Sequence, residues 1–126
     1  MKNKNSHVVY QLDMRKEAQE WRIIMVKKVN EAEFKAEALT GTTVVDFSAT
    51  WCGPCQMLAP VLEEISDSQG DVKFYNIDVD QNPGITREYG IMNIPAVYLL
   101  KDGQVVDKQI GFLPKEQLEA WINQAK

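Results

Sequence analysis

Only two cysteines and one histidine occur among the 126 residues of this chain. At most one intrachain disulfide is available, and a chain of this length builds its core without needing one. Zinc requires about four ligands, and His7, far upstream of Cys52 and Cys55, is the only other soft donor. No apolar run approaches the roughly 20 residues that span a bilayer, and no repeat or low-complexity tract is present. An excess of positive charge is also missing: the net charge is −4. Residues 1–28 carry seven Lys or Arg against three Asp or Glu (+4), and residues 29–126 carry seven against fifteen (−8). So acidic a body argues against nucleic acid as a partner, and the basic segment reads as a solvated extension.

What is present describes one globular domain, 44% hydrophobic and 25% charged, long enough for a single core. Both cysteines fall in Trp51-Cys52-Gly53-Pro54-Cys55. Thr42 to Ser48, before them, is short, β-branched and aromatic and follows Gly41, as a buried strand does. Gln56 to Ser68, after them, changes period, with Met57, Leu58, Val61, Leu62 and Ile65 at helical spacing. The cysteines therefore sit where a strand becomes a helix. Cys52 stands at the helix start, where unpaired N–H groups and the positive end of the helix dipole stabilise an anion such as a thiolate. Pro54 suits the first turn, and Gly53 lets the backbone pass close to both sulfurs. Cys55, one turn further in, is expected to be more buried and less ionised. This asymmetry makes Cys52 the attacking thiol and Cys55 the resolving one. A structural disulfide and a zinc site are the competing readings, but so small a loop removes little chain entropy and the metal lacks ligands.

The remaining pattern alternates. Ile23 to Val26 is a short apolar run. Glu31 to Leu39 places Phe34, Ala38 and Leu39 at helical spacing, and Val72 to Ile77 is a further strand. Pro83 to Tyr89 suits a short helix closed by Gly90. Ala96 to Leu100 and Gln104 to Ile110 flank Asp102-Gly103, a strong hairpin signal. Pro114 opens a last helix with Leu118, Trp121, Ile122 and Ala125 on one face. Strands alternating with helices, then a hairpin and a helix, imply an α/β domain whose mixed sheet is covered on both faces. Within it, Asp46 lies between Val45 and Phe47 in a central strand and is expected to be buried. Desolvation raises the pKa of such a group and lets it exchange a proton near neutrality. Pro95 cannot donate to a sheet ladder. Pro60 lacks an N–H inside its helix and is expected to kink it.

Val44 to Pro60, with Asp78-Val79-Asp80-Gln81-Asn82-Pro83, Tyr89-Gly90-Ile91, Ile94-Pro95 and Gly111, resembles the thioredoxin family over roughly residues 23 to 126. The resemblance implies a thioredoxin fold, a single three-layer α/β/α domain, with residues 1–22 as an N-terminal extension. It implies a protein-disulfide reductase with no bound cofactor or metal, the Cys52–Cys55 pair being the carrier. The partners implied are thioredoxin reductase or another electron donor and oxidised protein substrates, with no nucleic acid and no membrane span, the protein acting as a monomer. Asp46 is then the proton acceptor for Cys55, and Ile94–Pro95 a cis bond beside the cysteines. Trp51, Gly53, Pro54, Ile91, Ile94, Gly111 and Phe112 form an apolar rim for a bound polypeptide. An exported thiol oxidant or isomerase, and a binding or assembly module of the same fold, are the alternatives. The compartment expected is the cytoplasm, with an exported or periplasmic location the alternative because of the extension. That extension shows no apolar core of a signal peptide, yet Val8, Val9, Tyr10, Leu12, Met14 and Trp21 give it more apolar groups than a linker has.

Several positions depart from the family pattern. Ser48 stands where a tryptophan is common, so looser or wetter packing is expected beneath the site. Asn76 stands where a lysine often pairs with the buried aspartate, which implies a higher Asp46 pKa than in lysine-bearing relatives. Ala96 and Gln56 replace commoner threonine and lysine, and Phe112 makes the rim bulkier.

Overall fold

The computed structural model describes residues 11–13, 22–24 and 26–126. The elements, in order, are β1 (Gln11–Asp13), β2 (Arg22–Ile24), β3 (Val26–Lys28), α1 (Glu31–Glu37), β4 (Thr42–Ser48) and α2 (Gly53–Asp67). There follow β5 (Val72–Asp78), α3 (Pro83–Glu88), β6 (Ala96–Lys101), β7 (Gln104–Ile110) and α4 (Lys115–Ala125). The main sheet runs β3-β5-β4-β6-β7. Its first three strands are parallel, and β6 and β7 are antiparallel to their neighbours.

The apolar run from Ile23 to Val26 is divided between two sheets. Ile23 and Ile24 lie in β2, which pairs antiparallel with β1 of the extension, while Val26 opens β3 and pairs with Phe74 of β5. Of the apolar extension residues, Leu12 lies in β1; Val8, Val9, Tyr10, Met14 and Trp21 lie outside the described residues, as does His7.

Strand periodicity sorts the core into two layers. Val45 and Phe47 of β4, Tyr75 and Ile77 of β5, and Ala96, Tyr98 and Leu100 of β6 face α1 and α3, where Phe34, Ala38 and Ile85 meet them. Val44, Val72, Phe74, Val97 and Leu99 face the opposite way, against Leu58, Leu62 and Ile65 of α2 and Leu118 and Ile122 of α4. Burial on both faces explains why β4 and β6 read as near-continuous apolar runs.

Two side chains assigned to apolar helix faces lie elsewhere. Leu39 is exposed because α1 ends at its C-cap, Ala38, so Leu39 falls past the last turn and sits over Gly103. Met57 flanks the buried stripe of Cys55, Leu58, Leu62 and Ile65 and points to solvent. The hairpin turn is as expected: Asp102 and Gly103 both have positive φ, 49° and 84°, the conformation that two-residue primed turns demand. α2 continues across Pro60 to Asp67.

The starts of α1 and α3 are held by side chains. Asn30 and Glu33 form a reciprocal capping box, with Asn30 Oδ1 accepting the Glu33 N–H and Glu33 Oε1 the Asn30 N–H, both at 2.8 Å. α1 and α3 also cap one another. Asn82 Oδ1 accepts the Glu31 N–H at 2.9 Å, and Glu31 Oε1 accepts the Ile85 N–H at 3.2 Å. A Cβ at Gly84 would come within 2.8 Å of Glu31 Oε2, so glycine gives this carboxylate its approach. Asn82→Ala removes a buried acceptor and its donor to the Asp78 carbonyl. It should cost about 1–2 kcal/mol in denaturant unfolding; a midpoint unchanged from that of the parent would show that the mutual cap contributes nothing.

Candidate active site

β4 and β5 end side by side at Ser48 and Asp78, and β6, running the other way, begins opposite Phe47. The carboxyl ends of two parallel strands and the start of an antiparallel one therefore share one edge of the sheet. The chain leaves β4 through Ala49, Thr50 and Trp51 and enters α2 with Cys52 as N-cap, in extended backbone (φ −92°, ψ 113°).

Cys52 and Cys55 form a disulfide. Cys52 Sγ also accepts the Cys55 N–H at 3.2 Å, which satisfies one of the four orphan donors at the mouth of α2. The two residues differ little in exposure, 5% for Cys52 and 3% for Cys55. In the disulfide form the asymmetry between them therefore lies in electrostatics: Cys52 occupies the cap and receives the N–H. Ala49, Val79 and Ile94 pack around the pair.

The peptide bond between Ile94 and Pro95 is cis. Pro95 is buried and Ile94 half-buried, and the Ile94 carbonyl oxygen lies 4.0 Å from Cys52 Sγ. Gly111, at φ 93°, donates its N–H to the Pro95 carbonyl at 2.8 Å, which ties the end of β7 to the Pro95 loop. That φ rather than crowding calls for glycine, since a Cβ would meet nothing within 4 Å.

Among the rim residues, Trp51 is 70% exposed, and Gly53, Pro54 and Phe112 are open to solvent. Ile91 is half-buried against the Phe34 layer of the core. Three features of the site escape the sequence pattern. Trp51 Nε1 donates to Asp80 Oδ2 at 2.7 Å, an anchor that holds the indole although the residues are 29 positions apart. Met92, two residues before Ile94, is 88% exposed, and nothing in its neighbours' pattern marks it. Asn76 is a direct partner of Asp46: its Nδ2 lies 3.2 Å from Asp46 Oδ2.

Asp46 is 2% exposed, as its place between Val45 and Phe47 implies. It lies on the strand face that carries Val44, beneath α2. Burial pushes its pKa up to about 7, against the smaller opposing effect of the Asn76 hydrogen bond, which favours the charged form. Oδ1 meets no hydrogen-bond partner among the described residues. Among the described residues, no group of three or more His, Cys, Asp or Glu side chains is placed to hold a metal, and no helix is long and apolar enough to cross a membrane.

The raised pKa has a consequence for stability. The folded form holds the Asp46 proton up to about pH 7, whereas the unfolded chain releases it near 3.8. The stability associated with this proton is therefore complete below about pH 4 and is lost as pH rises to about 7, by an amount on the order of 4 kcal/mol. Asp46→Asn should gain stability relative to the parent as pH is raised from 4 to 8, in denaturant unfolding with the disulfide intact. A stability difference that stays constant over that range would contradict this assignment.

Known proteins resemble the chain closely. The family model described as Thioredoxin matches residues 25–124. A thioredoxin of Listeria monocytogenes is 48% identical over 100 residues, covering 79% of this chain and 97% of its own length. One from Staphylococcus aureus is 49% identical over 94 residues (74% and 90%), and one from Bacillus subtilis 46% over 99 (78% and 95%).

Proposed function

The chain belongs to the thioredoxin family, and from that premise we propose how its residues divide the work of reducing protein disulfides. It is a thiol–disulfide oxidoreductase, a protein-disulfide reductase, with Cys52–Cys55 as its redox-active pair. The observation that carries the division of roles is the hydrogen bond from the Cys55 N–H to Cys52 Sγ at the start of α2. In the dithiol form the same N–H and the helix dipole stabilise a thiolate on Cys52.

That thiolate attacks one sulfur of a substrate disulfide. The substrate S–S bond breaks, a mixed disulfide forms, and the departing substrate sulfur takes a proton from solvent. Cys55 then passes its proton to Asp46 while its sulfur attacks Cys52 Sγ. The bond to the substrate breaks, the second substrate sulfur leaves as a thiolate and takes a proton from solvent, and the Cys52–Cys55 disulfide remains. A group that titrates near 7 suits this exchange, since it gains and returns a proton with little driving force either way.

Pro95 shapes the floor of the site. Trp51, Gly53, Pro54, Ile91, Ile94, Gly111 and Phe112 receive the substrate backbone and its apolar side chains, with Met92 added to the surface. The Ile94 carbonyl, close to the attacking sulfur, is placed to pair with an extended segment. Two electrons return from thioredoxin reductase or another donor. No bound cofactor enters, because the dithiol itself is the carrier. We place the protein in a reducing cytoplasm, acting as a single copy, with residues 23–126 as the catalytic domain and 1–22 as an extension to it.

Cys52→Ser should abolish turnover of a protein disulfide, because the attacking thiolate that forms the first bond is lost. Cys55→Ser should instead accumulate mixed disulfides through Cys52, seen as reducible covalent complexes by non-reducing electrophoresis and mass spectrometry. Complexes through Cys55, or residual turnover in Cys52→Ser, would reverse the assignment.

A further inference from the structure

The polar side chains around Asp46 form a small set on the α2 side of the sheet. Asn76 stands opposite Asp46 in the β4–β5 register. Its Nδ2 reaches Asp46 Oδ2 at 3.2 Å, the Asp46 carbonyl oxygen at 3.2 Å and Ser48 Oγ at 2.9 Å. A backbone carbonyl can only accept, and so can an ionised carboxylate, so the amide is oriented with its nitrogen toward β4. With two hydrogens for three acceptors, one N–H is shared.

Asp46 Oδ1, by contrast, is buried and meets no hydrogen-bond partner among the described residues. Among the described residues no cation forms an ion pair with it, and the one next in the register, Lys28 of β3 opposite Asn76, is exposed. β6 places Val97 opposite Asp46, and α2 covers the face with Leu58 and Leu62. The titratable groups on the elements around it are Cys55 on α2 when reduced; Glu63 on α2, which accepts the Val26 N–H; Asp78 beside Ser48 in the register, which accepts the Asp80 N–H; and Lys28 on β3, opposite Asn76. A proton on Oδ1 removes the charge that burial penalises and leaves the Asn76 bond to Oδ2 intact.

We propose that Asn76, itself steadied by Ser48, is a positioning residue that keeps Asp46 Oδ2 a permanent acceptor, so that Oδ1 alone exchanges the proton with the Cys55 thiol. The inference rests on the role given to Asp46 above. In the step, the Cys55 S–H bond breaks as the Oδ1–H bond forms, and the S–H electron pair stays on sulfur. That sulfur bonds to Cys52 Sγ, and the substrate sulfur departs with the electrons of the bond it leaves. The Asn76 amide only donates, so it steers the proton and does not carry it. A neutral donor of this kind also leaves the carboxyl titrating close to the working pH, where a full positive charge would drive it well below.

Two measurements test this. In the disulfide form, NMR of the unaltered protein follows the Asp46 carboxyl carbon and the Asn76 side-chain amide signals against pH. Both should move with one midpoint, and Asn76 signals that stay flat through the Asp46 transition would overturn the clamp without recourse to any variant. Asn76→Leu, of similar size but without a donor, should raise that midpoint by about 1 pH unit. It should also raise the matching inflection in the pH profile of protein-disulfide reduction by the same amount. A midpoint unmoved in a folded Asn76→Leu overturns the clamp. A midpoint that moves while the rate profile stays in place overturns the proton-exchange role of Asp46, and the assignment of Oδ1 with it.

Discussion

A single backbone N–H, that of Cys55 meeting Cys52 Sγ at the start of α2, sets the terms for the rest of the site. It exists because β4 delivers the chain to a helix whose N-cap is a cysteine instead of the usual serine, threonine or aspartate. A sulfur at that position receives what a capping oxygen would receive, and the helix gains a cap that can also break and form a covalent bond. Gly53 and Pro54 allow the turn, and the long apolar stripe of α2 fixes the helix on the sheet so that the cap does not wander.

The sheet brings the other participants to the same edge. Because β4 and β5 are parallel while β6 returns antiparallel, the end of β4 and the approach to β6 coincide. Cys52 and Ile94, distant in sequence, thereby come together, with Asp46 two residues before the end of β4. Asp46 is the costly member. An ordinary domain is stable by about 5–15 kcal/mol, and an ionised carboxylate at this depth takes on the order of 4 kcal/mol of it. The two apolar layers must supply the excess. Asn76 and Ser48 limit the cost without neutralising the group, and it stays poised between its two charge states.

Much of this was legible in the sequence where the pattern is local. β4, β5 and β6 show themselves through β-branched and aromatic runs, the hairpin through Asp102-Gly103, and the redox pair through its spacing and its flanking strand and helix. The motif resemblance carried the fold and the activity. What was not legible depends on register and on long-range pairing. The division of Ile23 to Val26 between β2 and β3, the Trp51–Asp80 bond and the mutual cap of Glu31 and Asn82 each join residues whose relation no periodicity encodes. Leu39 and Met57 are apolar residues beside a stripe rather than in it, because helix ends and stripe edges are decided by tertiary contact. Asn76 stood out as a missing lysine, but its positive contribution appears only when β4 and β5 are laid in register.

This disulfide carries two electrons toward protein substrates, and its reduction potential tests that role most directly. The measurement equilibrates the full chain in graded thiol–disulfide buffers and reads the oxidised fraction of Cys52 and Cys55. A potential near about −270 mV is expected, that of a dithiol that gives electrons up to substrates. A value near about −180 to −120 mV would contradict it, because such a pair takes electrons from its partners and works as an isomerase or oxidant.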